Sequence, residues 1–388
     1  MTEPSAKMIQ VGKYYYPESG GMETHLYELC NQLKRRYDVR VLVANTSPRT
    51  VSEVVDGVPV TRVANFGELY SCPICPTLPL HLSRLNGSQE TLIQLHLPNP
   101  MAHFAYWCTQ VPGKLVVFWH SDIIRQEKLT WLYEKRLLNL LARADRVVAS
   151  SPNYVQTSPF LRRFRNKCVV VPLGIRAERF EATAAVRASV EHLRQRYATP
   201  LVLFVGRFTY YKGLPVLLEA AQRVSATFLL VGNGPMKREV QRCIAQNGLA
   251  HKVFLLSDVS HEELVAYYHA CDLFVLPSNR RSEAFGLVQL EAMACDKPVV
   301  STNLDTGVPW VNRHGETGLT VPVDDPVALA AAMNRLLQDA ALRQRLGKQA
   351  RQRVLRHFTV ENVTAKLMKV YDELLQGHPG CQPRDAQE

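Results

Sequence analysis

The chain has 388 residues, too many for one compact core and about right for two domains of roughly 150–200 residues. Hydrophobic residues make up 46% and charged residues 21%, an ordinary globular composition, and no apolar run approaches the ~18–20 residues of a membrane span. The formal charge of +11 is uneven: residues 1–180 hold 22 Lys+Arg against 14 Asp+Glu, the rest 24 against 21.

A basic first half points to an anionic partner, and a peripheral contact with an anionic membrane is expected there. Arg162, Arg163 and Arg165 beside Phe160, Leu161 and Phe164 are the candidate surface. No zinc finger, RNP-type aromatic motif or long basic helix speaks for nucleic acid. The N-terminus has no apolar h-region, so it does not read as a secretory signal. Nine cysteines, an odd number scattered along the chain, read as reduced thiols of a cytoplasmic protein. Cys72 and Cys75 form a lone CxxC with no second pair at zinc spacing.

Short apolar runs alternate with longer amphipathic ones, the pattern of a parallel sheet with crossover helices. Met8–Val11 is the first expected strand, followed by a glycine loop at Gly20–Gly21 and a helix from Met22 to Arg36. Strands follow at Val39–Ala44, Val58–Val63, Leu92–Leu95, Lys114–Trp119, Arg146–Ser150 and Val169–Val171, with a helix at Trp131–Ala144. Between Pro172 and Pro200 the chain is charged and weakly periodic, which reads as an interdomain linker. The alternation resumes with strands at Leu201–Gly206, Thr227–Gly232, Lys252–Leu256, Leu273–Pro277 and Pro298–Thr302. A final helix, Phe358–Leu375, places Phe358, Val360, Val363, Leu367, Val370 and Leu374 on one face. The polar tail after Gly377 is expected to be disordered.

The strongest chemical signal is Glu283-Ala-Phe-Gly-Leu-Val-Gln-Leu-Glu291, which follows an apolar strand and opens a helix near Gly286. A helix start has unpaired N–H groups and the positive end of the macrodipole, so Phe285, Gly286, Leu287 and Val288 suit a diphosphate. Carboxylates flanking such a site accept hydrogen bonds from sugar hydroxyls. On spacing alone, a surface helix with two solvated glutamates fits as well.

The run resembles the E-x7-E motif of glycosyltransferase family 4, whose members share the GT-B fold: α/β, two Rossmann-like domains facing across a cleft. The neighbouring Lys297-Pro298-Val299-Val300 matches too, with Asp296 where the family has glycine. Asp tolerates the left-handed conformation better than most residues, so the turn is expected to survive. The resemblance implies that Glu283 contacts the donor sugar and Glu291 the nucleotide ribose. Gly206-Arg207-Phe208-Thr209-Tyr210-Tyr211-Lys212-Gly213 resembles the family's G-R-x4-K-G segment, which implies that Arg207 and Lys212 clamp the donor diphosphate. Gly20-Gly21-Met22-Glu23-Thr24-His25 resembles its GG-x-E-x-H loop over the phosphates, with His25 a candidate acceptor contact. His120, after the strand Lys114–Trp119, takes the family's role beside the reacting carbon, and Asp122 is a second candidate acceptor contact. Val259 lies where the family grips the nucleobase, largely through backbone.

The resemblance covers nearly the whole chain and implies its domain plan. Residues 1–175 are the acceptor-side domain, with the helix 357–376 packing back on it; 176–199 is the linker. Residues 200–356 bind the nucleotide sugar, and 377–388 form the disordered tail. The implied enzyme is a retaining hexosyltransferase, lying in the cytoplasm or at the inner face of the membrane. It would take mannose or rhamnose from a GDP-linked donor to a saccharide, lipid-linked acceptor in lipopolysaccharide or other polysaccharide biosynthesis. No Asp-x-Asp occurs, so neither a metal nor another cofactor is expected. The alternatives are a UDP-sugar transferase with another acceptor, a sugar-nucleotide epimerase of the same architecture, or a non-catalytic scaffold that keeps the fold. A nicotinamide dehydrogenase is excluded by the missing glycine fingerprint.

Overall fold

The computed structural model describes residues 6–376 except 19, 70–71, 123–126 and 199, with only the backbone described for 127–132. The chain forms two compact units, Met1–Leu173 with Val360–Glu388, and Gly174–Thr359. The tail 377–388 lies outside the described residues.

The first unit holds β1 (Lys7–Val11), β2 (Asp38–Ala44), β3 (Val51–Val55), β4 (Val58–Val63), β5 (Glu68–Leu69), β6 (Cys72–Pro73), β7 (Leu92–Leu97), β8 (Lys114–Trp119), β9 (Arg146–Ala149) and β10 (Cys168–Val170). Eight of them form one sheet in the order β10-β9-β8-β7-β1-β2-β4-β3, and β5 pairs with β6 separately. The eight pair in parallel except β3, which runs antiparallel to β4. Strand β7 is buried along its whole length, as a central parallel strand must be. Strand β3 is the opposite case, an exposed edge whose residues show no buried face. It is set by the two-residue turn Asp56-Gly57, both at positive φ, which matches the twist of a hairpin.

Helix α1 (Gly21–Leu33) follows β1 and buries Leu26, Leu29, Cys30 and Leu33. The C-terminal helix Val360–Leu375 belongs to this same unit, although the intervening chain builds the other one. It buries Val360, Val363, Leu367, Val370 and Leu374 of the stripe read from the sequence, with Thr364 and Tyr371 beside them. The Tyr371 ring meets Tyr37 edge-on at 5.9 Å, and its hydroxyl donates to Gln94 on β7. Phe358 does not share that stripe. It precedes the helix and packs in the second unit, edge-on to Trp310 at 5.4 Å.

The second unit contains β11 (Leu201–Val205), β12 (Thr227–Val231), β13 (Val253–Leu256), β14 (Leu273–Leu276), β15 (Val299–Thr302) and β16 (Gly318–Val321). Their order is β13-β12-β11-β14-β15-β16, parallel throughout. The segment 176–199, expected to be a linker, is instead part of this unit and folds largely as α2 (Ala184–Arg196) against α3 (His261–Ala270). Its weak periodicity has a simple cause: Leu193 is the one buried residue of α2, helped by Tyr197 beyond its end. Helix α4 (Leu287–Ala294) follows β14, and just past it Asp296 adopts the left-handed conformation expected of it, with φ 57°.

Deleting the fully buried Leu367 side chain should loosen the C-terminal helix from its unit. Leu367→Ala is expected to cost about 2–5 kcal/mol, read as a lower urea midpoint of the first unit's transition. An unchanged midpoint would contradict the docking described here.

Candidate active site

Among the parallel strands of each large sheet the order reverses once, and open parallel sheets bind ligands outside the carboxyl ends of the strands at that point. In the second unit the reversal falls between β11 and β14, paired at Val202↔Leu273 and Leu203↔Phe274. The loop after β11 carries Arg207 and Lys212, and the loop after β14 carries Glu283 and Gly286.

These two loops are fastened together. Gly213 has φ 67°, and a Cβ there would stand 1.9 Å from the Pro277 carbonyl oxygen, so only glycine allows this approach. The Asn279 N–H donates to the Tyr211 carbonyl at 2.9 Å, and the Tyr210 and Ser282 hydroxyls lie 2.9 Å apart. The result is a buried ion pair: Lys212 Nζ stands 2.5 Å from Glu283 Oε2, with both side chains 9% exposed. Ser278 Oγ donates to the same carboxylate oxygen at 2.7 Å. Burial works most strongly against the Lys212 charge, but Glu283 and Tyr211 together outweigh it and raise the ammonium pKa above its ordinary 10.5. Arg207, in contrast, is exposed at the end of β11.

Gly286 caps α4 at φ 73°, and a Cβ there would meet Leu276 Cδ2 at 2.6 Å. Leu287 and Val288 in the first turn are half-buried, and their N–H groups have no partner within the helix. Phe285 is buried, its ring edge-on to Phe358 at 6.1 Å. Glu291 lies one turn further and accepts from the Tyr268 hydroxyl at 2.6 Å, while burial raises its carboxyl pKa. Val259 is half-buried before Ser260, whose side chain forms a capping box with Glu263 at the start of α3.

In the first unit the order reverses between β7 and β1. His120 follows β8 and is buried, with Nε2 2.9 Å from His96 Nδ1 on β7. His25 on α1 is also buried, its ring 5.7 Å from that of His120. Burial lowers the His25 pKa to about 4, burial with the His25 imidazole lowers His96 to about 3, and burial with the His96 and His25 imidazoles holds His120 well below its ordinary 6.5. All three are therefore uncharged at neutral pH. Gly20 and Gly21 are exposed at the start of α1, and Gly20 is extended at φ 173°, a conformation open to any residue. Asp122 is buried and braces its own loop, Oδ1 accepting from Trp119 Nε1 at 3.1 Å and Ser158 Oγ at 2.7 Å.

His96, Gln10 and Gln94 were absent from the sequence reading. Their signal was available, since Gln94 and His96 interrupt the otherwise apolar Leu92–Leu97. The expected lipid-facing surface needs correction. Phe160 and Leu161 are buried, Phe160 against the Trp119 ring at 5.6 Å, and Phe164 is half-buried, while Arg162, Arg163 and Arg165 are exposed. Among the described residues, no helix is long and apolar enough to cross a membrane, and no group of three or more His, Cys, Asp or Glu could hold a metal ion.

Comparison with known proteins agrees with this geometry. Residues 19–179 match the family described as Glycosyltransferase Family 4, and residues 190–353 that described as Glycosyl transferases group 1. The chain is 32% identical over 375 residues to O-antigen chain mannosyltransferase C of Escherichia coli, covering 95% of this chain and 99% of that one. It is 33% identical over 355 residues to D-rhamnosyltransferase WbpZ of Pseudomonas aeruginosa, covering 91% and 92%. Among solved structures, sucrose-phosphate synthase from Thermosynechococcus elongatus aligns with a TM-score of 0.80 at 24% identity, covering 96% and 99% of the two chains. Anabaena HepE in complex with UDP aligns with a TM-score of 0.76 at 21% identity, covering 95% and 100%.

The buried pair predicts a specific double-mutant cycle. Lys212→Met strands the Glu283 carboxylate and is expected to destabilise the second unit by about 3–5 kcal/mol, with much of this restored in Lys212→Met/Glu283→Gln. Because the Lys212 pKa is raised, the stability that its protonation supplies is fully present just below pH 10.5 and is lost as pH climbs through the higher folded-state value. Additive losses in denaturant unfolding would show that the two side chains do not act together.

Proposed function

We propose that this enzyme, which belongs to glycosyltransferase family 4 and has the GT-B fold of two Rossmann-like units, moves a mannose- or rhamnose-type hexose from a GDP-linked donor to a saccharide acceptor with retention. The sugar class is supported by the two relatives, similar along nearly their whole length, that are named mannosyl- and rhamnosyltransferase. The acceptor in this reading is lipid-linked, within lipopolysaccharide or related polysaccharide synthesis. The basic excess of residues 1–180 suits such an anionic carrier at a membrane surface.

The observation that carries the reading is the Lys212–Glu283 pair, set at the strand reversal beside the start of α4. Breaking the sugar–phosphate bond adds negative charge to the departing diphosphate. Arg207 supplies an exposed cation there, and Lys212 has three ammonium donors of which the ion pair takes one. The N–H groups of Phe285, Gly286, Leu287 and Val288 suit the phosphate oxygens. Such groups need little reorganisation as charge develops, so the reaction runs without a metal ion.

The remaining roles follow from what each atom already does. Both hydrogen bonds to Glu283 fall on Oε2, so Oε1 takes a sugar hydroxyl. Glu291, held by Tyr268, accepts from the ribose diol, and Val259 borders the nucleobase. Gly20 and Gly21 offer open backbone to the phosphates. His120, being neutral, orients the sugar by hydrogen bonding rather than by charge. Asp122 shapes the loop after β8 instead of touching the acceptor.

Turnover of a panel of GDP-, UDP-, ADP- and dTDP-hexoses in excess chelator tests the reading. A GDP-hexose should be consumed at the full rate, and Arg207→Ala should lower kcat on the order of 100-fold. Preference for a UDP-sugar would overturn the donor, and activity that depends on added manganese would overturn the mechanism. Glu291→Ala should weaken nucleotide binding by about 1.5–3 kcal/mol in calorimetry; wild-type affinity in that variant would remove its ribose role.

A further inference from the structure

The first unit contains a buried polar chain of which the proposed reaction uses only one member, His120. Gln10 on β1, Gln94 and His96 on β7, and His120 after β8 are all buried side chains on strands that lie side by side. His96 Nδ1 is 2.9 Å from His120 Nε2, while His96 Nε2 is 2.9 Å from Gln10 Oε1 and 3.1 Å from Gln94 Nε2. The ring of His96 also stacks on Phe118 at 5.5 Å and on His120 at 5.2 Å.

We propose that His96 is a positioning residue that fixes His120 in its Nδ1–H tautomer, so that His120 presents a hydrogen-bond donor to an oxygen of the donor sugar. The sugar contact rests on the function proposed above; the tautomer does not.

The proton positions follow from counting donors. The Tyr371 hydroxyl donates to Gln94 Oε1, which turns the Gln94 amide nitrogen toward His96 Nε2. His96 Nε2 must then accept. A carboxamide can present either end, and with Gln10 turned end for end its nitrogen also faces His96 Nε2. That turn gives Gln10 Nε2, a buried donor, an acceptor on the imidazole, and it turns the Gln10 oxygen toward the Tyr371 hydroxyl, which lies beside both amides and can donate to either. A neutral imidazole carries one N–H, so that of His96 lies on Nδ1 and donates to His120 Nε2. The N–H of His120 is thereby placed on Nδ1, a buried atom without a hydrogen-bond partner among the described residues. Among the described residues, the rings packed against His120 are those of His25, His96 and Phe118, none of them a carboxylate or an ammonium.

The test is long-range nitrogen–proton NMR on the full chain with labelled histidine, the His120 signals being identified by their loss in His120→Ala. In the wild type the proton should reside on His120 Nδ1. His96→Phe keeps a ring beside Phe118 but removes the donor; it should shift the His120 proton toward Nε2 and lower kcat about 10- to 100-fold, with nucleotide affinity unchanged. His96→Asn, whose amide nitrogen mimics Nδ1, should restore the tautomer and part of kcat. Variants are compared only where thermal midpoints match the wild type, and Asn carries the comparison if Phe does not fold. An Nε2 proton in the wild type would overturn the proposal, as would a kcat loss in His96→Phe with the His120 tautomer unmoved. If the tautomer behaves as stated but His120→Ala keeps full kcat, the sugar contact is what fails, and with it the function assigned to His120.

Discussion

A buried ammonium is tolerated only beside a partner, and the loop geometry of the second unit is organised around that requirement. Lys212 and Glu283 come from loops that follow different strands, 71 residues apart in sequence. Their meeting depends on the missing side chain at Gly213, on the hydrogen bond from Asn279 to Tyr211, and on Ser278, whose carbonyl is held by Thr302. Since the pair is electrically balanced, Arg207 carries the uncompensated charge of the loop after β11. In the proposed reaction the division has a use: the buried pair gives fixed geometry, and the exposed arginine gives net attraction for a diphosphate.

The first unit solves its polar problem by neutralisation. Among the described residues, burial and the neighbouring imidazoles act on His25, His96 and His120 with no carboxylate opposing them, so all three are driven to the uncharged state. An uncharged imidazole is a directional donor and acceptor, and its orientation is set by whichever groups hold its other nitrogen. Gln10, Gln94 and Tyr371 provide that hold. The C-terminal helix therefore does more than cover apolar surface, since Tyr371 ties it to the polar chain of the sheet.

Much of the fold was legible because parallel strands are continuous apolar runs, and twelve such runs fall within a residue or two of where the sequence places them. What was not legible has physical reasons. Strand β3 is an exposed edge without a buried face, and only the Asp56-Gly57 turn announces its hairpin. Helix α2 buries little, so its pattern looks like a linker. At the site, the residue types in the loops after β11 and β14 pointed to phosphate and sugar chemistry, but no spacing rule shows that Lys212 and Glu283 neutralise each other. Pairing between distant segments is a property of the sheet order, where β11 and β14 are neighbours. The same holds for His96 and His120, whose strands pair along their length. At Gly20 the extended backbone is open to any residue, so the glycine itself says less than its place at a helix start.

The central claim is transfer with retention, driven by fixed cationic and helix-end groups. It is tested most directly by the anomeric configuration of the product. Proton NMR of the disaccharide formed from an α-linked GDP-hexose, in excess chelator, should show the α linkage at the full rate. A β-linked product, or no product until manganese is added, would contradict the account.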